Sequence, residues 1–281
     1  MSRTEPIDVV VRCRNEMPFT ERTLRALASQ SVVHRVTFMD CGSTDGSREV
    51  AVAAGVSILD VDPKRYVPGV VLNRGMEATG SSIVAFVNAD AIPCDDEALA
   101  RLVAPLVEAP HLVATFGRQV ARPDADPAVR LEYARAFGDV APRLRQGTFF
   151  SMAASALRRD AWARLRFDET LRYSEDVDFV RRAEAAGFAL TYVPDARFEH
   201  SHDYSFAEHR KRRAGEGEAD SRIHHLGGPS LVSDLLRPAA GAVLRDLRAG
   251  LWSPRVLGVR AMQALGYFEG RRRASAHGSA R

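Results

Sequence analysis

Lysine is almost missing from this chain. Of its 39 basic residues only Lys64 and Lys211 are lysines, and the rest are arginine. A GC-rich genome produces that bias without functional pressure. A surplus of either charge is also lacking: 39 basic residues face 36 acidic ones, for a formal net charge of +3. That balance argues against a nucleic-acid partner. Cysteine is scarce, and Cys13, Cys41 and Cys94 are an odd number in no metal-ligand spacing. They read as reduced thiols in a cytoplasmic setting. No run approaches the ~18–20 apolar residues of a membrane span, and Met1-Ser2-Arg3-Thr4-Glu5-Pro6 has no signal-peptide core. The expectation is a cytoplasmic protein, with contact to the inner face of the plasma membrane left open.

What is present is a globular composition, 46% hydrophobic over 281 residues. That is enough for one large α/β domain with a C-terminal appendage. Ile7–Cys13 reads as a buried parallel strand, β-branched and short, with charge arriving only at its end. Helical spacing over Thr20–Gln30 follows, then a strand at Val36–Met39, a helix stopping at Gly55, and a strand at Val56–Val61. Val71–Thr79 is helical, and Ser82–Val87 is a further strand. This alternation predicts a doubly wound, mainly parallel sheet whose ligands collect at the carboxyl ends of the strands. Beyond it come a helix at Asp95–Glu108, strands at Val113–Gln119, Phe149–Leu157 and Phe188–Val193, and a helix over Glu175–Ala186. Leu231–Gly270 carries apolar residues at helical intervals, and Arg271–Arg281 reads as a frayed tail. The predicted division is a catalytic domain over residues 1–225 and a helical extension over 226–281.

The strand Ser82–Val87 runs straight into Asn88-Ala89-Asp90. A carboxylate delivered to a loop at the sheet edge suits metal and phosphate chemistry, although a turn or helix cap would use Asp90 equally. Glu175-Asp176-Val177-Asp178 and then His200 and His202 follow. Asp40 can accept from a pyrimidine N–H and ribose, whereas Ser43 and Asp45 suit helix capping. Arg14 can stack on a base or reach a phosphate, or be a surface arginine. Glu16 can accept from ribose or favour a helix's first turn. Two His at i, i+2 on a strand share a face, so both can address one cation. The run Arg210-Lys211-Arg212-Arg213 is a solvated helix face, a diphosphate contact or a membrane contact.

Four segments, taken in order, resemble glycosyltransferase family 2, the GT-A nucleotide-diphospho-sugar transferases. They are Val9–Glu16; Asp40-Cys41-Gly42-Ser43-Thr44-Asp45-Gly46-Ser47; Leu72-Asn73-Arg74-Gly75 with Gly80 and Asn88-Ala89-Asp90; and Arg158–Trp162 with Phe167-Asp168-Glu169 and Ser174-Glu175-Asp176. The match covers roughly residues 7–215. His200–Ser205 and Gly266-Tyr267-Phe268-Glu269-Gly270 look most like bacterial rhamnosyltransferase-like members.

The resemblance implies a GT-A fold and a Mg²⁺- or Mn²⁺-dependent, inverting transfer from a nucleotide-diphospho-sugar (UDP- or dTDP-rhamnose-like) to a hydroxyl. It implies a donor site of Arg12, Arg14, Glu16, Asp40, Asn73, Asn88 and Asp90. Metal ligands would be Asp90 with His200 or His202, and Asp176 would be the base, with Glu175 the alternative. The chain departs from the family in placing Asn88 at the first carboxylate of D-x-D and Cys41 where many relatives are acidic. The acceptor is open between lipid-linked and small-molecule hydroxyls, and a homodimer is open too. Two other functions stay on the table. One is a sugar-phosphate nucleotidyltransferase, although Arg14-Asn15-Glu16-Met17-Pro18 lacks that class's Gly-rich loop. The other is an inactive nucleotide-sugar-binding protein.

Overall fold

The computed structural model describes residues 6–140, 143–144 and 147–278. In chain order the first elements are β1 (Ile7–Cys13), α1 (Phe19–Ala28), β2 (His34–Asp40), α2 (Ser47–Ala53), β3 (Ser57–Asp60), α3 (Pro68–Glu77) and β4 (Ile83–Asn88). Next come β5 (Ile92–Pro93), α4 (Ala98–Glu108), β6 (Leu112–Val120), α5 (Pro127–Ala136), β7 (Arg143–Leu144), β8 (Gly147–Thr148), β9 (Ala154–Arg158) and α6 (Arg159–Leu165). The chain then forms α7 (Glu175–Ala185), β10 (Ala189–Glu199), α8 (Phe206–Ile223), a π-turn at Val232–Leu236, α9 (Arg237–Arg248) and α10 (Pro254–Gly278).

By their contacts the described residues fall into two units. One holds those up to Pro123, Glu132–Thr170 and Glu175–Ser201, and the other Asp124–Leu131, Leu171–Ser174 and the chain from His202.

The first unit is built on an eight-stranded sheet in the order β3-β2-β1-β4-β9-β6-β10-β5. Strands β3, β2, β1 and β4 run parallel, as do β6 and β10. Strand β9 enters antiparallel between β4 and β6, and β5 is antiparallel to β10. The mainly parallel α/β architecture expected from the alternation is therefore present, with two antiparallel insertions. Strand alternation explains its two cores. Val9, Val11, Ala85 and Val87 face one side with Leu99, Leu102 and Leu106 of α4, while Val10, Val84 and Phe86 face the other with Leu72 and Met76 of α3. Helix α3 lies close on the sheet at Gly75, where a Cβ would sit 3.0 Å from Val10 and 3.1 Å from both Met39 Sδ and Phe86. Register places the ends of β1, β2 and β4 together: Cys13 pairs with Asp40, and Arg12 with Asn88.

Several elements differ from the sequence expectation. The strand predicted from Phe149 begins only at Ala154, because Phe149 and Phe150 turn edge-on to Phe116 at 5.8 and 5.5 Å. Strand β10 does not stop at Val193; after a register shift it pairs again, Arg197 to Glu199 against Arg118 to Val120. His200 and His202 thus follow the strand and do not lie on it. Helix α5 had no counterpart in the sequence reading, although Asp126 caps it through Ala128 N at 2.8 Å and Pro127 opens it.

In the second unit α8 packs along α10 through glycine. A Cβ at Gly217 would meet Tyr267 O at 2.4 Å, one at Gly266 would meet Arg210 O at 2.3 Å, and one at Gly270 would meet Ala214 O at 1.9 Å. This crossing gives Gly266-Tyr267-Phe268-Glu269-Gly270 its physical purpose. It also sets α8 with the C-terminal helices, whereas the sequence reading drew its boundary after residue 225. The supposed tail is helical through Gly278, and Arg271 is buried, donating to Asp234 and to Gly227 O. Residues 279–281 lie outside the described residues.

Candidate active site

Strand β4 ends in a tight turn, with Ala89 N donating to Arg12 O and Ala91 N to Asn88 O. That turn delivers Asp90 into the interior of the unit, where it is 2% exposed. Its Oδ1 stands 3.4 Å from His200 Nε2. The His200 ring is fixed from its other side, Nδ1 lying 2.7 Å from Gln119 Oε1, while Gln119 Nε2 donates to Ser151 Oγ at 2.7 Å. A carboxamide oxygen only accepts, so Nδ1 carries a proton, and Nε2 is the ring atom that faces Asp90. His202 stands two residues further along the chain. One ligand atom from each of Asp90, His200 and His202 lies within 4.8 Å of the other two. A carboxylate and two imidazoles, one held in the ligand tautomer by a second hydrogen bond, fit a divalent cation such as Mn²⁺.

Arg122 is the main residue the sequence reading missed. Its guanidinium donates to Asp90 O at 2.9 Å and Asp90 Oδ2 at 3.2 Å, and also to Ser201 O. Its backbone N donates to Ser201 Oγ at 3.1 Å, and its guanidinium lies 3.6 Å from the centroid of the Phe19 ring. One side chain therefore clasps both the turn bearing Asp90 and the residue between the two histidines. The only sequence signal was an arginine just past a strand end, which is too common to single out. Glu16 shares this neighbourhood. Burial, helped by the negative charges of Asp90 and Asp45 and only partly offset by Arg122, pushes its carboxyl up to about 8.

Along the same sheet edge, Arg12 donates to Asn88 Oδ1 at 2.8 Å. The neutral residue at the first D-x-D position thus accepts from an arginine of β1. Asp40 is buried and bends its own loop, accepting from Gly42 N at 3.3 Å and Ser43 N at 3.1 Å. Ser43 and Asp45 do capping and tethering work: Asp45 accepts from Ser47 N and Met17 N, and Ser43 Oγ from Asn15 N. Asn15 takes a left-handed φ of 58° to reach that loop. Arg14 is exposed. Burial raises the Cys41 thiol to about 11, so Cys41 is a neutral thiol at pH 7.

Asn73 departs from its expected donor role. Its Oδ1 accepts from Trp162 Nε1 at 2.9 Å and Phe167 N at 3.0 Å, while Nδ2 donates to Phe167 O at 3.0 Å and Glu169 Oε1 at 2.8 Å. It is a buried fastener joining the Asn73 and Trp162–Glu169 motifs, because a carboxamide can serve both a peptide and an indole. In the acidic cluster Asp178 is committed to Arg182 at 2.7 Å. Asp176 and Glu175 occupy the first turn of α7, partly exposed, and Asp176 Oδ1 accepts from Val177 N at 2.9 Å. Ser174, directly before that helix, has a left-handed φ of 59°. The basic run is largely paired within its own unit: Arg210 with Glu269, and Arg212 and Arg213 with Glu216.

Comparison with known proteins bears on the family and the fold. The family described as "Glycosyltransferase like family 2" matches residues 5–219. The O-antigen chain rhamnosyltransferase RfbN of Salmonella typhimurium is 25% identical over 94% of this chain and 89% of its own length. WbaN of Salmonella anatum, also an O-antigen chain rhamnosyltransferase, is 26% identical over 84% of this chain and 79% of its own. Among solved structures, the mannosyltransferase PcManGT of Pyrobaculum calidifontis, in complex with GDP-Man and Mn²⁺, superposes with a TM-score of 0.62 at 18% identity. The superposition covers 99% of this chain and 76% of that one. Glucosyl-3-phosphoglycerate synthase of Mycobacterium tuberculosis, in complex with Mn²⁺, UDP and glucosyl-3-phosphoglycerate, gives 0.57 at 20% identity over 80% of this chain and 83% of that one. At these identities the solved structures establish the shared fold.

Proposed function

This chain belongs to glycosyltransferase-like family 2, and from that premise we propose an inverting, metal-dependent transferase. It moves a sugar from a nucleotide-diphospho-sugar to an acceptor hydroxyl in bacterial glycan or glycosylated-metabolite synthesis. The observation that carries the reading is the grouping of Asp90, His200 and His202, with Asp90 two residues beyond the β4 end that Arg12 and Asn88 share. The rhamnosyltransferase relatives favour a dTDP-rhamnose-like donor, with UDP-sugars the alternative.

In this reading Asp90, His200 and His202 hold Mn²⁺ or Mg²⁺, which when bound offsets negative charge on the departing diphosphate. Asp40 orients base and ribose. Arg12, Arg14 and Glu16 line the nucleotide side, and Asn88 receives ribose as a neutral hydrogen-bonding group. Asp176 takes the proton of the acceptor hydroxyl as its oxygen attacks the anomeric carbon from the face opposite the leaving group. Glu175, beside it in the same helical turn, is the alternative base. Position and charge supply most of the rate enhancement. Asp176→Asn separates binding from chemistry: the variant is expected to keep donor affinity and lose at least about a thousandfold in turnover. Near-normal turnover with an authentic donor would remove Asp176 from the role of base.

A further inference from the structure

Eleven large apolar side chains are exposed among the described residues, and six of them fall between positions 231 and 252: Leu231, Val232, Leu236, Leu244, Leu247 and Trp252. Their spacing is not random. At 3.6 residues per turn, Leu236, which leads into α9, and Ala240, Leu244 and Leu247 on it fall within one arc of about 80°. Leu236 is 53% exposed, Leu244 47% and Leu247 45%, so this arc looks outward. The flank beyond Leu236, about 80° outside this arc, is the anchored one. There Asp246 is buried and bidentate to Arg260, at 2.6 and 3.0 Å. Arg237 and Arg248 fall just past one edge of the apolar arc, with Arg245 beyond them, and all three are exposed. Trp252, 66% exposed, follows directly after the helix and its Gly250 turn.

The charges say what covers this face. Between residues 226 and 260 the acids are Asp234 and Asp246. Asp246 is spent on Arg260, and Asp234 is engaged by Arg271 at 3.3 Å. A second copy docked on the same face would set arginine rows against each other with no exposed acid from this segment between them. An anionic surface complements them, and a free anion would leave the apolar arc unexplained.

We propose that this face is a docking surface for an anionic lipid bilayer. Helix α9 lies in the interface plane with Leu236, Leu244 and Leu247 at the acyl boundary. Arg237 and Arg248 meet lipid phosphates, and Trp252 sits at headgroup depth. The surface binds without crossing: no helix among the described residues is long and apolar enough to span a membrane. The inference stands apart from the transfer reaction, and neither fails with the other.

The test uses the full chain and unilamellar vesicles of phosphatidylcholine, with or without phosphatidylglycerol in equal part. The protein should co-sediment with the mixed vesicles at least about tenfold better than with phosphatidylcholine alone, and less well as salt rises. Of the two tryptophans, Trp162 is buried, so a blue shift of emission on adding mixed vesicles reports Trp252 without any substitution. Leu244→Glu with Leu247→Glu should cut binding at least about tenfold, and Arg237→Gln with Arg248→Gln should remove the preference for anionic lipid. Wild-type protein that stays in the supernatant with unshifted emission overturns the proposal. So does a lipid-free dimer, seen by analytical ultracentrifugation, that the leucine substitutions dissociate.

Discussion

Replacing Arg122 with methionine takes away the guanidinium that Asp90 Oδ2 faces in a site almost closed to water. Removing one partner of such a buried pair costs about 3 kcal/mol or more, and the guanidinium's bond to Ser201 O is lost with it. Arg122→Met is therefore expected to lose about 3 kcal/mol in a denaturant titration. Unchanged stability would mean that other groups balance the Asp90 charge. Glu16 yields a pH-dependent prediction. Its folded carboxyl, raised to about 8, is protonated at pH 7, whereas in the unfolded chain it ionises near the ordinary value of 4.5. Below about 4.5 both states hold the proton and there is no penalty. From there to about 8 only the unfolded state is charged, so stability falls as pH rises, and the deficit is constant above. Glu16→Gln should accordingly raise Tm by a few degrees more at pH 8 than at pH 5, in chelator-treated protein. Equal gains at both pH values would place Glu16 in water. The carboxylates at 16, 40, 90 and 176 and the imidazole at 200 were legible as residues, because an acid near a strand end or helix start and a closely spaced His pair stand out against their neighbours. Arg122 and Gln119 were not, since each acts through a partner more than thirty residues away, Asp90 for one and His200 for the other.

At the scale of elements, spacing and chemistry agreed best where an element answers to local rules. Strand β1 has the bounds its run of β-branched residues implied, and α2 ends before Gly55, whose φ is +70°. Agreement failed where a distant partner dictates conformation. The Phe149–Ala153 stretch has strand-like composition, but its rings are drawn onto Phe116 and its Ser151 onto Gln119. Strand β10 resumes past Val193 because β6 offers a further ladder. The glycine crossing of α8 and α10 was visible as a motif and silent as to its partner. Gly270→Ala puts a methyl group where Ala214 O now stands, 1.9 Å away against an unyielding backbone. Circular-dichroism melts should show a loss of about 1–3 kcal/mol confined to the second unit. Wild-type melting would show that the helices part without cost.

At the scale of the whole molecule, donor and cation binding appear as stability. Mn²⁺ at about a hundredfold over its Kd adds about 2.7 kcal/mol, so Tm should rise by several degrees, and further with the matching member of a UDP-, dTDP- and GDP-sugar panel. Asp90→Ala should abolish the Mn²⁺ increment, and an increment that survives would locate the cation elsewhere. Composition, alternation and motif order are properties of neighbouring residues, and they were enough to establish an α/β sheet and the family, and to point to one sheet edge as the candidate site. The closing of that edge depends on chain segments that meet only after folding. Register brings Arg12 to Asn88, β6 carries Gln119 and Arg122 beside the turn bearing Asp90, and β10 returns His200 across some 110 residues of chain. Those distances follow from packing two cores against one sheet, and no local pattern encodes them.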